Sequence, residues 1–441
     1  MGVIFNDPLV LYKRVIFFSL YSCLYCRFIQ SIRMRWEFKL AMRISNGKEK
    51  SFASIIIRIA SLAVALSIAV MIVTTALITG FKSEISSKIF GFWGHLHINA
   101  ANVYQNLLEI DPIEDNQDFY PVLKNMKGVK AVQVYAIQPG IVKGKNDLDG
   151  IFLKGIGSDF NWQFFKTYLQ EGDIISFPTK EASNQIIISK QTASRLSLKT
   201  GDNFRLFFVK NGTMLKRNFK ISGIYKTGLE EYDSKFALVD IRKVQQLQGW
   251  ADNQIGGYEV FIDDISMIDH YAENIYSNVL PPDLNVQSIR DKLPEIFEWL
   301  SLQDINEVVI LSLMIVVAII NMVTALLILM LERTRMIGIL KSLGSSNWSI
   351  RRIFMFYAGI IASKGMFWGN IIGVSICLLQ KYGHFIKLSE ENYYLNEAPI
   401  LINFSHILFL NLGTILVIVL FLILPTWLIT RISPVRTLRM D

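Results

Sequence analysis

Charge and cysteine are both scarce in this sequence. Of its 441 residues, 19% are Asp, Glu, Lys or Arg, against about 25% in ordinary soluble domains. That excludes an ordinary soluble enzyme of this length. Three cysteines, Cys23, Cys26 and Cys377, exclude a disulfide framework in the long polar middle and a four-cysteine zinc site anywhere. No thioredoxin-like pattern surrounds the Cys23/Cys26 pair. There is no G-x-x-x-x-G-K-[ST], no G-x-S-x-G and no H-E-x-x-H, so P-loop nucleotide binding and two hydrolase chemistries are out. Gly155-Ile156-Gly157 lacks the third glycine and the helix of a dinucleotide fingerprint. His95 and His97 would share one face of a strand, and a plain juxtamembrane strand accounts for them better than a metal pair. Asp111, Glu114, Asp115 and Asp118 lack the glycine and spacing of a calcium loop. Glu230/Glu231 and Asp263/Asp264 read as solvated surface. No catalytic residue, cofactor or metal is expected.

What the sequence does have is 51% hydrophobic residues, gathered in long runs. Ile59 to Thr79 is 21 residues without a charge, Val308 to Leu331 is 24, and Ile407 to Thr430 another 24. Ile353 to Leu379 is interrupted only by Lys364. About 20 apolar residues cross the hydrocarbon at 1.5 Å rise each. Four transmembrane helices are therefore expected, within 55–81, 305–331, 353–379 and 406–430. Residues 14–28 are apolar but too short to span, and no small-residue cleavage site follows them. Met34 opens a basic amphipathic stretch. It is read as the natural start, with 1–33 an upstream extension and 34–54 a cytoplasmic amphipathic segment.

The net charge of +8 is explained by where the cations fall. Residues 1–53 hold Lys13, Arg14, Arg27, Arg33, Arg35, Lys39, Arg43, Lys48 and Lys50 against Asp7, Glu37 and Glu49. The link 332–352 holds Arg333, Arg335, Lys341, Arg351 and Arg352 against Glu332. The tail 431–441 is basic, whereas the loop 380–405 is balanced. The positive-inside rule therefore places both termini and the 332–352 link in the cytoplasm, and residues 82–304 outside. The basic excess reports topology, and nucleic acid is not an expected partner.

The external segment mixes alternating strands with short helices: 95–99, 131–137, 150–156, 185–189, 203–209, 218–225, 236–240 and 257–263 read as strands, and 121–126, 190–196, 241–247 and 265–279 as helices. Gly257 to Asp263, a helix over 265–279, and 284–289 read as a βαβ unit. Residues 155–250 read as an inserted strand-rich subdomain, with Asn211-Gly212 as a hairpin turn. The expected class is an α-helical membrane protein with four transmembrane helices and a large α+β external domain.

Within the membrane region, Gly365, Gly369 and Gly373 recur every four residues, a spacing that lets helices approach closely. Asn321 is read as a helix–helix hydrogen-bonding residue, and Lys364 as a packing or snorkelling lysine. The link reads Glu332-Arg333-Thr334-Arg335-Met336-Ile337-Gly338-Ile339-Leu340-Lys341-Ser342-Leu343-Gly344. Its apolar residues fall at helical spacing and a C-capping glycine ends it. It is a short amphipathic helix that lies on lipid or docks a soluble motor.

This segment resembles the coupling segment of FtsX-like permeases, and Ile432-Ser433-Pro434-Val435-Arg436-Thr437-Leu438-Arg439 is similar to their C-terminal signature. Residues 58–73 and 223–233 resemble lipoprotein-releasing permease subunits of the LolC/LolE type. The resemblance, over 34–441, implies a mechanotransmission ABC transporter permease of the bacterial inner membrane. It implies a cytoplasmic ABC ATPase dimer, a second permease subunit in a homo- or heterodimer, a lipoprotein substrate, membrane lipid and a periplasmic carrier as partners. Extracting acyl chains costs about 0.8 kcal/mol per CH₂, so a separate ATPase must supply work. By position, Met71, Met314, Val317 and Asn321 are expected at the substrate cavity. The hairpin from Phe207 to Phe219 is short where carrier-binding members extend a hook. That departure fits a homodimer or the non-hook role. Export of another amphiphile or peptide, or an adaptor relaying ATPase motion to a cell-wall hydrolase, are the competing expectations.

Overall fold

A computed structural model describes residues 36–44, 52–101, 111–143, 148–210, 213–389 and 393–427. The expected extension 1–33, the Cys23/Cys26 pair, Met34, the Asn211-Gly212 turn and the tail 431–441 lie outside them. In chain order the helices and strands are α1 (36–44), α2 (Phe52–Trp93), β1 (Leu96–Ala100), β2 (Ile113–Glu114), α3 (Tyr120–Lys124), β3 (Val129–Lys143), β4 (Leu148–Ile156), α4 (Gln163–Tyr168), β5 (Leu169–Gly172), β6 (Gln185–Ser189), α5 (Lys190–Leu196), β7 (Asn203–Lys210) and β8 (Thr213–Tyr225). They continue with α6 (Glu230–Lys235), β9 (Phe236–Asp240), α7 (Ile241–Gln248), β10 (Gln254–Ile255), β11 (Gly257–Ile262), α8 (Ile268–Asn278), β12 (Leu284–Ser288), α9 (Ile289–Lys292), α10 (Pro294–Glu332), α11 (Thr334–Ser342), α12 (Asn347–Gly383) and α13 (Phe404–Thr426).

The chain divides into two compact units. One lies within Met1–Ile78, Asp304–Gly383 and Ile400–Asp441, the other within Thr79–Gln303 and His384–Pro399. Four helices, α2, α10, α12 and α13, are long and apolar enough to cross a membrane. Two of them outrun the charge-free segments that foretold them. Past Thr79, α2 continues to Trp93 because Ile85, Ile89 and Phe92 recur at helical spacing and pack into the core of the second unit. Before Val308, α10 already starts at Pro294, with Ile296, Phe297 and Leu300 on that core.

The second unit is built on a ten-stranded sheet, ordered β12-β1-β11-β3-β4-β9-β6-β8-β5, with β7 pairing both β3 and β8. Its centre is read from burial: β9 (FALVD) is buried at every position, as a strand covered on both faces must be, whereas β12 alternates. β11 and β12 both run antiparallel to β1, so the βαβ unit carries β1 between its two parallel strands. Strands from the expected insertion 155–250 are hydrogen-bonded into this same sheet, β9 to β4 in parallel and β7 to β3. They extend one sheet and form no separate layer. The short elements β2, β5, β10, α4, α6 and α9 are additions to those expected.

In the first unit, α12 lies against α2 along the glycine stripe. A Cβ on Gly365 would sit 2.7 Å from Ser61 O, one on Gly369 2.6 Å from Ala65 O, and one on Gly373 3.1 Å from Ala69 Cα. At Gly365 and Gly369 only hydrogen lets the two backbones close, and at Gly373 a side chain would be tight. The buried face of α1, with Leu40, Ala41 and Ile44, packs on the same core. Glu37 on that face is fully buried. Its carboxylate accepts a short hydrogen bond from Ser349 Oγ and lies 3.7 Å from Arg352 at the start of α12.

Gly369→Ala should therefore lower the stability of the detergent-solubilised protein by about 1–3 kcal/mol, the usual cost of overpacking. Gly359→Ala, with no neighbour within 4 Å of the added carbon, should be neutral or stabilising. Thermal unfolding of the two variants side by side checks the pair.

Candidate functional site

The link between the second and third membrane helices forms its own helix, α11. Thr334 Oγ1 donates to Met330 O at 3.3 Å, tying the start of α11 to the end of α10. At the other end, Gly344 N donates to Lys341 O and Ser345 N to Leu340 O, both at 3.0 Å. Gly344 adopts φ +83°, the left-handed geometry of a Schellman cap. Ile337 and Gly338 are buried, with Met336 and Leu340 packed beside them. Ile339 and Leu343, one turn apart on a shared face, are open, Leu343 being 77% exposed. Trp348, just beyond, is also exposed, and the Arg352 guanidinium stacks on its ring at 5.4 Å. Arg333, Arg335 and Lys341 lie in the same short segment, and Glu332 precedes it. The arrangement can dock an apolar surface with acidic surroundings; it holds no reactive group.

The four positions expected at a cavity differ in burial. Met71 is fully buried among helices, Met314 is half-buried against the same core, Asn321 is half-buried and Val317 is exposed. A polar contact that sequence reasoning passed over lies elsewhere. Asn370 on α12 and Asn411 on α13 exchange amide hydrogen bonds, both at 2.9 Å, while each also donates to its own helix, at Met366 O and Ile407 O. Both residues fall within apolar runs, and that was the available signal.

In the second unit the segment 223–233 runs from the end of β8 through a short connection into α6. Asp233 accepts from Thr227 N and Gly228 N, both at 3.0 Å, and from Thr227 Oγ1 at 2.6 Å. Glu231 pairs with Lys235 at the surface.

The most polar part of the core lies at the end of α2. Lys154 on β4 and Glu259 on β11 are both fully buried, 2.7 Å apart. Lys154 Nζ also donates to Phe92 O at 2.5 Å and sits over the Phe92 and Trp93 rings at 5.2 and 4.9 Å. Gln133 Nε2 donates to the other oxygen of Glu259 at 2.7 Å. His97 donates from Nε2 to Trp93 O at 2.6 Å, and its Nδ1 accepts from Lys292 Nζ at 3.3 Å. Lys292 reaches Asn99 Oδ1 at 3.0 Å. Burial opposes every charge here: it raises the Glu259 carboxyl, opposed by the Lys154 cation, and lowers Lys154, opposed by Glu259. It lowers Lys292 to about 8. Burial and the Lys292 cation hold His97 neutral, well below its usual value. Among the described residues, no three His, Cys, Asp or Glu side chains converge on a metal position.

His97 lies on β1 and His95 just before it, and the two take separate partners. His95 Nδ1 accepts from Ile262 N at 2.9 Å, and burial, then Lys130 and Arg290, lowers its imidazole from 6.5 to about 4.

Four membrane-length helices, with a large α+β domain carried between the first two, define a multi-pass membrane protein with one extramembrane domain. The profile of the MacB-like periplasmic core domain matches residues 59–282, and that of the FtsX-like permease C-terminal region matches 308–434. The chain belongs to the FtsX-like permeases that carry a MacB-like periplasmic core. It is similar to the lipoprotein-releasing system transmembrane protein LolC of Xylella fastidiosa, 23% identical over 422 residues, covering 91% of this chain and 98% of that one. It is also similar to LolE of Haemophilus influenzae, 23% identical over 362 residues, covering 78% and 83%. The periplasmic region of MacB from Actinobacillus actinomycetemcomitans aligns with 46% of this chain and 92% of its own, at 14% identity and a TM-score of 0.32.

For His95 the folded value lies below the unfolded one, so between pH 6.5 and about 4 the unfolded chain binds more protons. Stability is complete above that window and is lost as pH falls through it. His95→Asn keeps an acceptor for Ile262 N but does not titrate. Its unfolding temperature should fall less steeply with acid across that window than that of the unaltered protein.

Proposed function

We propose that this chain is the permease subunit of an ABC transporter that releases lipoproteins from the bacterial inner membrane toward the outer membrane, driven by a separate ATPase. The observation that carries the reading is α11. This short helix between two membrane helices is anchored by Ile337 and Gly338 and leaves Ile339 and Leu343 open to a partner. The near end-to-end similarity to LolC sequences supports the same reading, as does the charge pattern, which assigns α11 and both termini to the cytoplasm. The span limits 55–81, 305–331, 353–379 and 406–430, and the external domain 82–304, belong to this proposal.

In this scheme the ATPase dimer binds α11 and a second permease subunit completes the pair. A lipoprotein leaves lipid and passes to a periplasmic carrier. The chain's own residues supply no bond-breaking chemistry. Their part is to receive motion at 332–344 and deliver it through α10 and α2 to the outer domain.

Leu343→Glu, which alters only an exposed side chain, should reduce the co-purified ATPase by about ten-fold, the effect of losing a central apolar anchor. Gly338→Arg should reduce it as well. Depleting the protein should leave lipoproteins in the inner membrane. Unchanged ATPase recovery removes the docking role, and normal outer-membrane sorting after depletion overturns the lipoprotein reading.

A further inference from the structure

Both long helices that enter the second unit end at the same buried cluster. The last turn of α2 presents Phe92 O and Trp93 O, two carbonyls with no partner further along the helix. They are taken by Lys154 Nζ and His97 Nε2. Lys292, two residues before Pro294 opens α10, reaches the other nitrogen of the same His97 ring and the Asn99 side chain. The imidazole thus touches the end of one helix and the approach to the other. Glu259 stands behind it on β11, paired with Lys154 and held by Gln133 from β3. Strands β1, β11, β3 and β4 are consecutive neighbours in one sheet, so the joint is built across adjacent strands.

We infer that His97, Lys154, Glu259 and Lys292 are positioning residues that lock the end of α2 and the start of α10 to each other and to the sheet, so that motion of either helix moves the domain as a body. Cations suit a helix C-terminus, where unpaired carbonyls gather negative potential. Apolar packing alone would hold the helix end just as closely but would let it rotate or slide, because it is non-directional. Hydrogen bonds to two successive carbonyls fix its register. A buried ion pair is a weak device for stability, since apolar residues of the same volume often replace it without loss. Its presence here is accounted for by the geometry it imposes. The transport half of this inference rests on the function proposed above; the geometric half does not.

The test uses the full-length protein in lipid nanodiscs. Cys23→Ser, Cys26→Ser and Cys377→Ala remove the native thiols, and spin labels are placed at Ser87→Cys on α2 and Glu298→Cys on α10, both exposed positions. The charge-free pair Lys154→Met with Glu259→Gln removes the ion pair and the bond to Phe92 O, the α2 side of the joint, while keeping volume. Lys292→Met, at a half-buried position, breaks only the α10 side and guards against a misfolded double variant. The double variant should broaden the label–label distance distribution about two-fold. With the partner ATPase and a purified triacylated lipoprotein, its release per ATP should fall about five-fold while ATP hydrolysis is unchanged, the size of coupling changes that single networks carry. A merely structural role would lower hydrolysis and release together, with the amount of folded protein. An unbroadened distribution overturns the joint, and so does a broadened one with unchanged release per ATP. If the unaltered protein releases no lipoprotein, the proposed function falls, and the distance distributions alone decide the joint.

Discussion

Backbone N–H and C=O groups find no water in hydrocarbon, so each crossing of this chain has to be a helix that satisfies its own ladder. That requirement ends where the lipid ends, yet α2 and α10 do not. Each runs on as a regular helix into the core of the second unit, α2 ending at Trp93 and α10 beginning at Pro294. A helix is stiff along its axis because each turn is bonded to the next. Each of the two therefore keeps an unbroken hydrogen-bond ladder over its whole length. Much of the remaining architecture follows: a wide sheet to receive the helix ends, buried aromatic rings around Phe92 and Trp93, and a polar joint that fixes their register.

The first unit meets a different demand. Lipid offers no hydrophobic advantage for one apolar helix to join another, so association depends on close packing and on polar contacts. The glycine stripe of α12 meets α2 by the first route, and the Asn370–Asn411 exchange joins α12 to α13 by the second. Each asparagine also feeds a carbonyl one turn back on its own helix, so neither amide is left to the hydrocarbon. Glu37 brings α1 onto the start of α12, a few residues beyond the cap of α11. Three polar side chains there fix how the amphipathic helix meets the bundle.

Much of this was legible in the sequence. Charge-free runs locate membrane helices because the length of lipid is constant. Alternation and β-branched runs located most strands to within a few residues, QIIIS and FALVD to the residue. The ends of α2 and α10 were not legible from charge, because their continuations are amphipathic and resemble ordinary soluble helices. Pairing order was not legible either. A stretch such as 155–250 shows its strands but not that β9 joins β4, since register depends on partners far away in the chain. The site followed the same division. The linear segment 332–344 could be read directly, whereas the joint could not. His97, Lys154, Glu259 and Lys292 lie on separate elements, and each looks alone like a surface residue of a strand or helix end.

The two apolar faces of α11 explain why the link is a helix at all. An extended link of the same length could join α10 to α12, but it would leave its backbone polar groups to solvent and would give under load. A capped helix with Ile337 and Gly338 buried is fixed to the membrane helices that flank it. The i, i+4 spacing of Ile339 and Leu343 then offers a firm edge to whatever binds there. Gly344 turns the chain at once into the start of α12, where Ser346 Oγ accepts Ser349 N–H at 3.3 Å. A displacement of α11 thus has little slack to take up at its C-terminal end. The link at α11 and the joint at Phe92 and Trp93 share one physical device: each holds a helix end by directional hydrogen bonds to backbone carbonyls and not by apolar packing alone.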